Sequence, residues 1–139
     1  EVAALERAME LAKERGAKRV ARLGVSIASH SPLMADASAQ FADLVNRTPM
    51  NDPAIPVYAN ITAAPLTTSA DVRAELSRQI ECPVNWTGSV RAMIAAGTST
   101  FLELGPGNVL AGLIKRIDRD ARTLSVADLG IGLSAMTAR

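Results

Sequence analysis

The sequence predicts an α/β layered fold, and three features carry that prediction. Stretches with apolar residues three or four apart alternate along the chain with short runs in which every second residue is apolar. These are the spacings of amphipathic helices and of half-buried strands. Gly or Pro punctuates the junctions between them. Each element then has one apolar side to bury, and alternating elements bury it by layering helices on a sheet.

The first helix is expected over 2–15. Leu5, Ala8, Met9 and Ala12 share a face, and Gly16 stands where a helix end prefers a left-handed residue. Glu1 to Leu5 is already in helical rhythm, with neither an initiator Met nor a capping side chain, so the chain is expected to begin inside a domain. A strand is expected from Val20 through Leu23, Val25 and Ile27, ending at Ala28-Ser29-His30. Ser31-Pro32 reads as N-cap and first position of a second helix with Met34, Ala37, Phe41 and Leu44 inward, running to about Arg47. Ile55, Val57, Ala59 and Ile61 alternate as a second strand, and 65–69 reads as a loop. A third helix follows from Ser69, with Asp71 in its first turn and Pro83 ending it. Trp86, Val90, Met93 and Ile94 make a fourth helix closed by Gly97, before a short strand over 101–104. Asn108 is the expected cap of a fifth helix bearing Val109, Leu110, Leu113, Ile114 and Ile117. Leu124 to Ala127 is a candidate last strand, and 128–139 lacks any sustained period.

Composition narrows the partners. The 139 residues are 48% hydrophobic and 21% charged, which is globular usage. Fifteen Lys and Arg offset fourteen Asp and Glu, giving a net charge of +1 and no reason to expect nucleic acid or an anionic membrane as main partner. A lone Cys82 cannot form an internal disulfide, and no apolar run has the roughly 18 residues of a membrane span. A cytoplasmic location is therefore expected.

Few residues offer chemistry. His30, the sole histidine, sits at an expected strand-to-helix junction, a place from which a side chain can reach a cleft. Residue type alone favours the reading of a surface or hydrogen-bonded structural histidine, because base catalysis needs a nucleophile within reach. Cys82 lies between Glu81 and Pro83 with no sign of an activated thiolate. No G-x-S-x-G elbow occurs, so Ser26, Ser29 and Ser31 lack the strained turn that presents a hydrolase serine. Gly105-Pro106-Gly107 completes no phosphate-loop pattern, and one His with one Cys cannot build a zinc site, so no metal is expected. The basic pairs Lys18-Arg19 and Lys115-Arg116 read as solvated ends of elements.

Taken together, several strings carry a specific resemblance. Val25-Ser26-Ile27-Ala28-Ser29-His30-Ser31-Pro32-Leu33-Met34, preceded by Gly16-Ala17-Lys18-Arg19, resembles the active-site histidine segment of malonyl-CoA:acyl carrier protein transacylases. Arg78-Gln79, Pro83-Val84, Trp86, the run Glu103-Leu104-Gly105-Pro106-Gly107-Asn108-Val109-Leu110, and Lys115-Arg116-Ile117 follow in that family's order. The resemblance covers residues 2 to about 126.

It implies an α/β hydrolase-like acyltransferase body with a small ferredoxin-like subdomain. Residues 1–26 would be the end of the small subdomain, 27–127 the C-terminal part of the body, and 128–139 a tail. It implies transfer of malonyl from coenzyme A to acyl carrier protein in fatty acid biosynthesis, with a coenzyme A thioester as substrate and no bound cofactor. His30 would be the general base and the main-chain carbonyl of Gln79 its orienting partner. Lys18, Arg19, Lys115 and Arg116 would meet the acidic carrier. The family's serine elbow, malonyl-binding arginine and oxyanion-hole residues have no counterpart here, so a missing N-terminal half is an implied partner and the chain alone is expected to be inactive. Ser29 before the histidine keeps methylmalonyl and a polyketide synthase acyltransferase domain open, and a carrier-binding module without catalysis is the alternative from another class.

Overall fold

The computed structural model describes residues 1–25 and 27–126; Ser26, Ala127 and the expected tail over 128–139 lie outside them. In chain order the elements are α1 (Val2–Glu14), a 3-10 turn (Pro32–Met34), α2 (Ala35–Arg47), β1 (Val57–Tyr58), β2 (Pro65–Leu66), α3 (Ser69–Arg78), α4 (Trp86–Ala95), β3 (Thr100–Glu103), α5 (Val109–Ile117) and β4 (Arg122–Ser125). The mixed helix and strand content agrees with the expected α/β class. No helix among the described residues is long and apolar enough to cross a membrane.

β3 and β4 pair in parallel, with Thr100 opposite Arg122 and Glu103 opposite Ser125. A parallel pair needs a long crossover, which α5 supplies. Val90, Ile114 and Ala121 form a core between α4 and α5, with Trp86, Met93, Ile94, Phe101 and Ile117 packed around it. Burying an aliphatic side chain of this size stabilises by roughly 1.5–3 kcal/mol, so this cluster anchors the C-terminal half. The cap of α5 differs from expectation. Asn108 makes no side-chain cap; instead the Glu103 carboxylate at the end of β3 accepts from the N–H groups of Leu110 (3.1 Å) and Ala111 (2.9 Å). A full charge at the positive end of the helix outcompetes a neutral amide.

A second unit joins α2 to α3. The inward face of α2 is Ser38, Phe41, Ala42 and Val45, rotated from the expected stripe, with Ala37 and Leu44 outward. The reason is α3: the Ser38 hydroxyl donates to the Ser77 carbonyl (3.0 Å), and the Arg73 guanidinium donates to the carbonyls of Val45 and Thr48. α3 begins in a capping box, Thr68 with Asp71, and Asp52 accepts from the Ser69 N–H at 2.7 Å. Hydrogen bonds from Ser69 hold the Asp52 carboxyl below the ordinary carboxylate range. Hydrogen bonding with the Thr68 side chain, then the main-chain N–H groups of Thr68 and Thr67, does the same for Asp71. Residues 65–69 are not wholly a loop, because Pro65-Leu66 pairs antiparallel with Val57-Tyr58. Buried Glu75 satisfies this hairpin by accepting from the N–H groups of Asn60 (2.7 Å) and Ile61 (3.0 Å).

The N-terminal segment is different. α1 ends as the spacing predicts, with Gly16 at φ +85°, its N–H on the Lys13 carbonyl and the Ala17 N–H on the Ala12 carbonyl, the paired bonds of a glycine helix stop. Yet α1 holds no buried residue. The strand expected over 20–27 is not formed among the described residues: 17–25 lies outside any ladder, with Leu23 76% and Val25 65% exposed. A strand is stabilised by its neighbour, and no described strand lies beside this one.

Candidate active site

His30 follows a bend in the chain, and its own backbone is unusual. It adopts φ +62°, a left-handed conformation costing an L-residue roughly 1–2 kcal/mol. Two bonds hold the turn: the Ser31 hydroxyl donates to the Ala28 carbonyl (2.8 Å), and the His30 N–H donates to the Ile80 carbonyl (2.8 Å). Ser31 precedes Pro32 as expected, but its hydroxyl closes this turn and caps nothing.

The ring is fixed by the far end of α3. His30 Nδ1 lies 2.9 Å from the Gln79 carbonyl oxygen and 3.2 Å from that of Cys82. Carbonyl oxygens only accept, so a neutral ring carries its proton on Nδ1 and keeps the Nε2 lone pair. Strain in the main chain is thereby exchanged for one ring tautomer in one orientation. His30 is exposed and borders an open cavity of about 290 Å³ lined by Ser29, Phe41, Leu76, Gln79 and Ile80. The ring is neither sealed in the core nor isolated on a convex surface. The larger wall of the cavity is apolar, through Phe41 of α2 and Leu76 and Ile80 at the end of α3.

Of the residues singled out in the sequence, the structure thus brings His30 and the Gln79 main chain together. The Gln79 side chain takes no part in the bond. The carbonyls of Ile80 and Cys82 were not singled out; the signal for them is the end of a helix, where the last carbonyls lose their intrahelical donors. Cys82 itself is half-buried, with the Arg78 guanidinium 3.5 Å from Sγ. Lys18, Arg19, Lys115 and Arg116 are all exposed, the first pair just after α1 and the second in the last turn of α5, where Lys115 donates to the Arg119 carbonyl at 3.1 Å. A cation there also complements the negative end of the helix.

The architecture is that of acyltransferases. The crystal structure of malonyl-CoA:acyl carrier protein transacylase (FabD) from Xanthomonas oryzae matches with a TM-score of 0.86 at 40% identity, over 97% of this chain and 44% of that one. A malonyl-transacylase solved in complex with a type II polyketide synthase (PKS) acyl-carrier protein matches with a TM-score of 0.86 at 36% identity, over 95% of this chain and 44% of that one. The malonyl CoA-acyl carrier protein transacylase of Bacillus subtilis is 40% identical over 124 residues, 89% of this chain and 39% of the relative. No family model matches. The chain is a homologue of the C-terminal part of malonyl CoA-acyl carrier protein transacylases, and it spans about two-fifths of the length of the curated relatives it matches.

Proposed function

We propose that this chain is the base-bearing part of an acyltransferase that moves malonyl from coenzyme A to acyl carrier protein in fatty acid biosynthesis. The observation that carries the reading is the His30 ring, held by main-chain carbonyls with Nε2 left as its acceptor beside an open cavity. In the proposed reaction a serine, supplied by the N-terminal portion that the relatives possess, gives its proton to Nε2 as it attacks the malonyl thioester. The imidazolium returns that proton to the departing coenzyme A sulfur. The carrier's thiol then gives its proton to Nε2 and attacks the acyl-enzyme. The imidazolium returns that proton to the departing serine oxygen, leaving malonyl on the carrier and the serine free. As the ring becomes cationic, its Nδ1–H is met by the Gln79 and Cys82 carbonyls, which do the work of the carboxylate in a Ser-His-Asp triad.

The remaining assignments belong to the same proposal. Residues 1–26 close a small subdomain and 27–127 return to the body. Lys18, Arg19, Lys115 and Arg116 steer the acidic carrier, an attraction that weakens with salt. The thioester is a substrate, no cofactor is bound, and the setting is cytoplasmic. What supports an N-terminal portion packed against this chain is that Leu23, Val25, Leu33, Leu104 and Val109 are all exposed, apolar side chains that such a portion would cover.

The test is reconstitution with the N-terminal part of a transacylase relative and an assay of malonyl transfer from malonyl-CoA to carrier protein. Transfer is expected, with His30→Ala slowing it roughly 10²–10⁴-fold. Gln79→Ala, which spares the main chain, is expected to be mild. Unimpaired transfer by the His30→Ala protein defeats the base assignment, and failure of the reconstituted protein to transfer malonyl defeats the activity.

A further inference from the structure

We infer that Pro83 is a positioning residue for His30, because it leaves both carbonyls that hold the ring without a competing donor. In an α-helix the carbonyl of residue i accepts from the N–H of residue i+4. α3 ends at Arg78, but its winding continues, with the N–H of Cys82 on the Arg78 carbonyl at 3.1 Å. The next bond in that series would run from residue 83 to the Gln79 carbonyl. Residue 83 is a proline with no N–H, so the Gln79 oxygen is free for His30 Nδ1 at 2.9 Å. Proline also disfavours the helical conformation for the residue before it. That residue is Cys82, whose carbonyl supplies the second contact with Nδ1 at 3.2 Å. The Ile80 carbonyl between them accepts the His30 N–H at 2.8 Å. Three carbonyls at one helix end thus take the main-chain and the ring donor of His30, and one residue accounts for the vacancy of two.

The consequence is a single tautomer. Flipping the ring puts a carbon against both oxygens and loses both contacts, so Nδ1–H is the favoured form as long as residue 83 donates nothing. An N–H at position 83 competes for the Gln79 oxygen, extends α3, and releases the ring to populate Nε2–H, the form that cannot accept a proton at Nε2. The effect on rate rests on the reading of His30 as base, whereas the tautomer does not.

His30 is the sole histidine and Cys82 the sole cysteine, so ¹⁵N-histidine with ¹³C-carbonyl-cysteine labelling gives one ring and one carbonyl. In alkaline buffer, where an imidazole is neutral, the ¹⁵N spectrum of the chain should show a protonated Nδ1, an unprotonated Nε2, and a dipolar coupling between Nδ1 and the Cys82 carbonyl. Pro83→Ala should draw the two nitrogen shifts together, and Cys82→Ser and Gln79→Ala, which keep the main chain, should leave them apart. An Nε2–H ring or no coupling in the unsubstituted chain overturns the proposal, even if the Pro83→Ala protein does not fold. So does a folded Pro83→Ala protein with unchanged shifts. Loss of malonyl transfer with the tautomer intact would instead count against the function.

Discussion

Residues 20–27 and 101–104 are both read from the sequence as strands and meet different fates. The first alternates apolar residues with others and the second places Phe101 and Leu102 side by side, but 100–103 becomes β3 beside β4, whereas the described part of 20–27 joins no ladder. β3 is also covered by α5, and Phe101 packs on the Val90 cluster; Leu23 and Val25 face solvent. The lesson is that apolar residues specify a surface to be buried, and a strand forms only where a second strand and a cover are supplied.

The widest gap between the regions is in stability. Ile114→Ala, at a site 5% exposed, should cost roughly 2–5 kcal/mol, read as a fall in the urea midpoint. Leu23→Ala should change it by less than about 0.5 kcal/mol in this chain. Equal losses would mean that the N-terminal segment is packed after all. A smaller contrast lies within the packed region. Glu103→Ala removes both acceptors at the start of α5 and should cost about 1 kcal/mol, while Asn108→Ala should cost far less because Asn108 caps nothing. The reverse order would restore Asn108 as the cap.

The smallest effect concerns acid. Asp52 and Asp71 titrate lower in the folded chain than in the unfolded one, so as pH falls the unfolded state takes up their protons first. Their contribution is present above the ordinary aspartate value of about 3.9 and is lost as pH drops through the lowered folded values. The urea midpoint should therefore fall between pH 5 and pH 3, and less so after Asp52→Asn with Asp71→Asn. An unchanged slope would remove these carboxylates from the account of α3.

Much of this was legible in the residues. The Gly16 stop, the Asp71 first turn, the Trp86–Gly97 helix and the strand before Gly105 depend on local chemistry, and local chemistry is what a sequence displays. The inward face of α2 was not legible, because Ser38 faces inward only through a bond to Ser77 of another helix. The Glu103 cap escaped for the same reason, since its seven-residue reach crosses a turn. At the site, resemblance drew attention to His30 and Gln79, whereas the left-handed backbone of His30 and the Cys82 carbonyl come from contacts about fifty residues away in sequence.

The central claim is that His30 accepts a proton during acyl transfer, and the most direct measurement is a single turnover of acyl-enzyme formation from malonyl-CoA in the reconstituted protein. The account predicts that His30→Ala slows acylation roughly 10²–10⁴-fold while malonyl-CoA still binds. Acylation of the His30→Ala protein at the unsubstituted rate would contradict it.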